Sequence, residues 1–217
     1  MRAACARLAA LDDAEFGVRL LARTPTHETR DEARLRRWAR TATAFGAELA
    51  ASAAPAATGA GPGPKNEAAP AATPAGGPHG TRVVETTGGL DRLLLARYVS
   101  RPVPTVELYT DTLALGERLV DVLGWRHWYP AGSLRAAALA HEEAHCLLHG
   151  DARARRALRD RLGHTALRFG RLRVPGHVAG ADELAAHAYA GAVCGLRRTP
   201  LLLTAALMSA VQALRED

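Results

Sequence analysis

Apolar residues recur at helical spacing in the first 50 residues and predict two helices there. In the first, "CARLAALDDAEFGVRLLAR", one face carries the apolar side chains Leu8, Leu11, Phe16 and Leu20. The second is expected to begin near Thr29, because Thr29 and Glu32 have the spacing of a capping box. Together the two helices form an N-terminal helical segment, residues 1–50.

Large apolar residues are absent from residues 51–80, which consist mostly of alanine, proline and glycine. Such a segment buries too little surface to offset the entropy lost when it becomes ordered. We therefore predict a flexible linker, which separates the N-terminal helical segment from a domain formed by residues 81–217.

Short apolar stretches after residue 81 predict three strands. The stretches "RVVETT" and "RLLLARYV" flank Gly88 and Gly89, which predicts a hairpin. The stretch "TVELYT", residues 105–110, alternates apolar and polar side chains, and Pro102 and Pro104 just before it favour a sheet edge. These strands predict a small antiparallel sheet.

Helical periodicity returns after the strands. Helices are expected at residues 111–124, 134–149, 151–162, 181–195 and 200–214. Ser133 is the expected N-cap of the second of these helices. Helices followed by strands and then by further helices are typical of an α+β fold rather than an alternating α/β fold.

Charge and cysteine content bear on the expected partners and the expected cellular compartment of the protein. Lys65 is the only lysine among the 28 basic residues, and the net charge is +6. No stretch interleaves the arginines with aromatic residues as a nucleic-acid-binding surface does, so a nucleic-acid partner is not expected. Three cysteines without paired spacing, no signal peptide and no apolar run of membrane-spanning length predict a cytoplasmic protein without a membrane partner.

The stretch "LAHEEAHCLLHG", residues 139–150, carries the candidate chemistry. His141 and His145 stand four residues apart, so both imidazoles reach one side of a helix and can bind one metal ion. Glu142 lies about 100° further round the helix, where its carboxylate can accept a proton from a water beside the ion. Burying these polar groups at the end of an apolar helix is costly without an ion to pair them. We therefore predict a metal site.

A catalytic zinc site needs a third protein ligand and one open position. His149 continues the same helix face but lies two turns from His141. The metzincin spacing would require glycine where Leu148 stands, with a ligand at Asp151. Glu183 is the stronger candidate, because a carboxylate from the helix predicted after residue 180 would complete a His–His–Glu set.

The stretch "HEEAHCLLHG", followed downstream by "ELAAHAYA", resembles the signature of the ImmA/IrrE-type zinc peptidases, which are minimal gluzincins. The resemblance covers about residues 105–200. It implies a zincin-like fold, with His141, His145 and Glu183 as zinc ligands and Glu142 as the catalytic base. The expected activity is therefore zinc-dependent hydrolysis of a peptide bond in a protein or peptide substrate.

The same resemblance places the strand "VELYT" beside the catalytic cleft. A peptide substrate is expected to add along this strand as an extra strand, with Glu107 and Tyr109 as substrate-binding residues. His187, one turn beyond the third ligand, is a candidate catalytic residue that donates to the developing oxyanion or orients a ligand. It is alternatively a ligand itself or a structural histidine, and Tyr189 is a second candidate oxyanion donor.

Two other interpretations stay open at this point. The first is a non-catalytic zincin-like interaction module that binds a partner protein. The second is a di-iron helical bundle, because Glu142 and His145 also have the Glu-x-x-His spacing of such proteins. Glu183 and His187 are spaced by four residues rather than three, and the predicted strands do not belong in a bundle, so the bundle is the weakest of the three.

Overall fold

The computed structural model describes residues 1–24, 31–53 and 81–216, and its fold is α+β. The N-terminal helical segment consists of α1 (Arg2–Ala9), α2 (Asp13–Arg23) and α3 (Glu32–Ala53). The single helix predicted before residue 24 is in fact two, because the Asp12 carboxylate caps α2 by accepting the Glu15 N–H at 2.7 Å. The expected start at Thr29 and most of the predicted linker, residues 54–80, lie outside the described residues.

The three predicted strands form one mixed sheet. They are β1 (Arg82–Thr86), β2 (Ala96–Val99) and β3 (Thr105–Tyr109), in the order β1-β3-β2. β3 is parallel to β1 and antiparallel to β2. The predictions of an antiparallel sheet, of a β1–β2 hairpin and of an edge position for β3 are therefore wrong.

β3 is the central and most buried strand of this sheet. Val106 and Leu108, which project from one face of the strand, are both fully buried, and β1 and β2 pair with its two edges. The chain after Gly88 and Gly89 does not fold back as a hairpin. It forms a loop anchored by Asp111, whose carboxylate accepts main-chain N–H groups from residues 88, 89 and 90.

The helices after the sheet confirm their predicted positions to within two residues. They are α4 (Thr110–Leu123), α5 (Ser133–Gly150), α6 (Ala152–Leu162), α7 (Ala181–Val193) and α8 (Pro200–Glu216). Ser133 is the first residue of α5 and not its N-cap. That place is taken by Gly132, with a φ of 76° that favours glycine.

An unpredicted hairpin lies between α6 and α7. It consists of β4 (Thr165–Phe169) and β5 (Leu172–Pro175), which pair antiparallel. The arginine-rich sequence around it hid the alternation of Leu167, Phe169, Leu172 and Val174, all of which are exposed. No described helix is both long enough and apolar enough to cross a membrane.

Small residues bring the helices of the site together. Ala137, Ala140 and Ala144 of α5 pack against Ala186 and Ala190 of α7 in one buried cluster. On the other side of α7, α3 approaches so closely that a Cβ added at Gly46 would lie 2.0 Å from the Ala185 carbonyl oxygen. Helix α7 is therefore held between α3 and α5, and its register relative to α5 is fixed by packing.

Candidate metal centre

Helices α5 and α7 bring the three predicted ligands into one cluster. The Nε2 atoms of His141 and His145 lie 3.1 Å apart. The Glu183 carboxylate completes the triangle, with its Oε2 3.2 Å from His145 Nε2 and its Oε1 3.4 Å from His141 Nε2. The four-residue spacing on α5 and the close approach of α7 thus produce the predicted His–His–Glu arrangement.

The dimensions of this triangle match those of a metal site. Two ligands that are each 2.0–2.1 Å from a tetrahedral zinc ion lie about 3.3 Å from one another. The three observed edges of 3.1, 3.2 and 3.4 Å surround that value. In each histidine the nitrogen turned toward the centre is Nε2, while Nδ1 is buried without a hydrogen-bond partner among the described residues.

His187 belongs to the same cluster. Its Nε2 lies 3.1 Å from Glu183 Oε1, and its ring centroid lies 4.4 Å from that of His141. Donor atoms of His141, Glu183 and His187 all lie within 4.8 Å of one another, so these three residues can hold a metal ion. Glu183 is therefore contacted by three histidines.

The charges in the cluster are strongly coupled. Burial raises the pKa of Glu183, but hydrogen bonds from His141, His145 and His187 outweigh burial and hold that pKa well below its ordinary value. Burial and the neighbouring His187 lower the pKa of His141. Burial also acts to lower the pKa of His145, yet the Glu183 carboxylate raises it overall. The carboxylate is thus ionised, and burial favours the neutral form of His141, which is the form that can bind a cation once Nε2 gives up its proton.

The predicted base, Glu142, lies beside the triangle. Its side chain is only 9% exposed and lines the same cavity as the three ligands. Its Oε2 accepts a hydrogen bond from the main-chain N–H of Tyr98 in β2, at 3.0 Å. This contact between α5 and the sheet fixes one carboxylate oxygen and leaves the other for chemistry.

The cavity of about 450 Å³ in front of the triangle is largely apolar. Its polar lining includes Arg97 and Thr204 as well as the cluster, and leucines form much of the remaining wall: Leu93, Leu94, Leu95, Leu134, Leu196 and Leu203. Residues 93–95 belong to the loop that Asp111 anchors. A few convergent polar groups in an apolar cavity are typical of a small-molecule or peptide site.

The two predicted substrate-binding residues lie apart from this cavity. The Glu107 carboxylate pairs with Arg97 at 2.8 Å and accepts the Tyr109 hydroxyl at 3.0 Å. Neither Glu107 nor Tyr109 is among the residues that line the cavity. The strand that does line it is β2, through residues 96–98.

Tyr189, the second candidate oxyanion donor, also lies apart from the cavity. Burial and the Glu143 carboxylate raise the pKa of Tyr189 to about 12. Tyr189 is not among the residues that line the cavity.

The prediction did not include Asp182. Donor atoms of Asp182, His145 and His149 all lie within 4.8 Å of one another, next to the triangle. The sequence signal was present, because Asp182 directly precedes Glu183 and His149 follows His145 by one helical turn.

Comparisons of the chain with protein-family models, with curated proteins and with solved structures find no match. The fold and the site therefore define the class: an α+β protein whose two central helices carry a histidine–carboxylate cluster that can hold a metal ion.

Proposed function

We propose that this protein is a zinc-dependent peptidase that hydrolyses a peptide bond in a protein or peptide substrate. One observation carries the proposal. Two imidazole Nε2 atoms and a carboxylate form a triangle whose edges match the spacing of ligands around a tetrahedral zinc ion. A second carboxylate, that of Glu142, lines the same cavity. Two imidazoles with one carboxylate are a ligand set of catalytic zinc sites.

His141, His145 and Glu183 would hold the zinc ion, and His187 would steady the carboxylate of Glu183 through its 3.1 Å contact. When bound, zinc supplies a Lewis acid that polarises the scissile carbonyl and lowers the pKa of an adjacent water. Glu142 accepts the proton of the attacking water and delivers it to the leaving amine nitrogen. Because the Nε2 of His187 contacts Glu183 and its Nδ1 is buried, His187 would act by orienting that ligand rather than by donating to the carbonyl oxygen.

The substrate would lie along β2 rather than along β3. Strand β2 is an edge of the described sheet, and its residues line the cavity. An extended peptide can pair with such an edge through main-chain hydrogen bonds. The leucine-rich wall favours an apolar side chain next to the scissile bond.

The proposal is tested by separating metal binding from turnover. Zinc-loaded Glu142→Gln should keep its metal and lose at least about 100-fold in kcat/KM on a fluorogenic peptide library, since it loses general-base catalysis. Glu143→Gln, its neighbour on α5, is the matched control and should retain activity. Glu183→Ala should lose zinc, measured by elemental mass spectrometry. Full activity in Glu142→Gln would contradict the proposed base, and a zinc-loaded wild type that cleaves no peptide would favour a non-catalytic module that binds a partner protein.

A further inference from the structure

We propose that the cluster has a second metal site, formed by His145, His149 and Asp182, which shares the Glu183 carboxylate with the first. The second site rests on the geometry of the cluster, and the role of the first site in peptide hydrolysis rests on the proposed function.

The second triad combines one helical turn of α5 with the start of α7. His145 and His149 are four residues apart, and their rings are nearly parallel, at 15°, with centroids 5.8 Å apart. Asp182 lies in the first turn of α7 beside Glu183. Donor atoms of the three residues lie within 4.8 Å of one another, and two imidazoles with a carboxylate suit a divalent transition metal.

Each oxygen of the Glu183 carboxylate contacts different histidines of the cluster. Oε1 contacts His187 at 3.1 Å and His141 at 3.4 Å, whereas Oε2 contacts His145 at 3.2 Å. A carboxylate arranged in this way can bridge two ions, one on each oxygen, at the separation of about 3.5–4 Å found in two-metal sites. In the two-ion state, His141 and His187 hold one ion, and His145, His149 and Asp182 hold the other.

The position of His145 couples the two sites. With one ion bound, His145 joins His141 and Glu183 in the triangle proposed for catalysis. With two ions bound, His145 serves the second ion, and His187 takes its place at the first. A second equivalent of metal would therefore change the coordination of the first ion.

The number of ions per chain tests the site directly. Full-length protein freed of metal is dialysed against increasing Zn²⁺, and bound zinc is counted by elemental mass spectrometry. Wild type should saturate at two ions per chain, and His149→Ala and Asp182→Asn should each saturate at one. His127→Ala is the matched control, because His127 is an exposed histidine on the turn after α4, and it should retain two ions.

The outcomes separate the second site from the proposed function. Saturation of wild type at one ion, or two ions retained in both His149→Ala and Asp182→Asn, would overturn the second site. Because His149 is exposed, its removal leaves the core intact, and circular dichroism checks the fold of each variant. The count does not depend on turnover: wild type that binds two ions and cleaves no peptide keeps the second site and loses the peptidase proposal.

Discussion

The main-chain N–H of Tyr98 donates a hydrogen bond to the Glu142 carboxylate, which joins strand β2 to helix α5 beside the histidine–carboxylate cluster. The register of the sheet explains why this N–H does not form a hydrogen bond with β3. The Tyr109 N–H donates to the Leu95 carbonyl, so hydrogen-bonded pairs alternate from that point and Tyr98 falls opposite Val106 in a non-hydrogen-bonded pair. Its N–H therefore points away from β3 and toward α5.

Replacing Tyr98 with proline removes this N–H without removing a hydrogen bond between β2 and β3. Because a hydrogen bond to a charged group is worth about 1.5–3 kcal/mol, we expect kcat/KM of Tyr98→Pro to fall by roughly 10- to 100-fold. Zinc content should stay at the wild-type level, since the zinc ligands are untouched. Steady-state kinetics on a cleaved peptide and elemental mass spectrometry measure the two quantities.

Tyr98→Ala is the control for the lost side chain, because it keeps the N–H. It should retain more activity than Tyr98→Pro. Equal activity in the two variants would show that the main-chain contact does not position the base.

Helix α7 carries Glu183, and its position depends on Gly46 of α3. A Cβ at residue 46 would lie 2.0 Å from the Ala185 carbonyl oxygen, which is backbone and cannot turn aside. We expect Gly46→Ala to destabilise the protein by at least about 1–3 kcal/mol, as overpacking of a core does. We also expect weaker zinc binding, because α7 must move away from α3. Urea unfolding and zinc titration test both effects.

Gly191→Ala is the matched control on α7. Its Cβ would meet only Pro200 Cδ, at an ordinary contact distance of 3.8 Å. Alanine is the better helix former, so this variant should be neutral or more stable by up to about 1 kcal/mol. Destabilisation of both variants to the same extent would mean that the contact between α3 and α7 is not the cause.

The sequence predicted most of the histidine–carboxylate cluster because its geometry is largely local. His141, Glu142 and His145 belong to one helix, whose period alone sets their relation. Glu183 followed from its place in a second predicted helix. The order β1-β3-β2 was not predicted, because strand order depends on long-range packing and the prolines before β3 gave a misleading edge signal. Asp182 was overlooked although it directly precedes Glu183, because its distance from His149 depends on how α5 and α7 pack and the sequence does not give that packing.

The Glu183 carboxylate should stabilise the metal-free protein most in mildly acidic solution. The pKa of Glu183 is held below its ordinary value of 4.5. Its contribution to the free energy of unfolding is therefore present above pH 4.5 and is lost as the pH falls through the pKa of the folded state. The pKa of His145 is raised above 6.5, so its contribution is present below 6.5 and is lost as the pH rises through the folded value. Both contributions are present together between these two ordinary values.

We therefore expect the difference in unfolding free energy between wild type and Glu183→Gln, both metal-free, to be larger at about pH 5.5 than at about pH 8.5. We compare the two proteins because the lowered pKa of His141, caused mainly by burial, gives the opposite pH dependence and is present in both, so it largely cancels in the difference. Zinc affinity should change the other way, since protons compete with the metal for His145. Urea unfolding and zinc titration at both pH values measure the two trends, and a pH-independent difference in stability would contradict the coupling between Glu183 and His145.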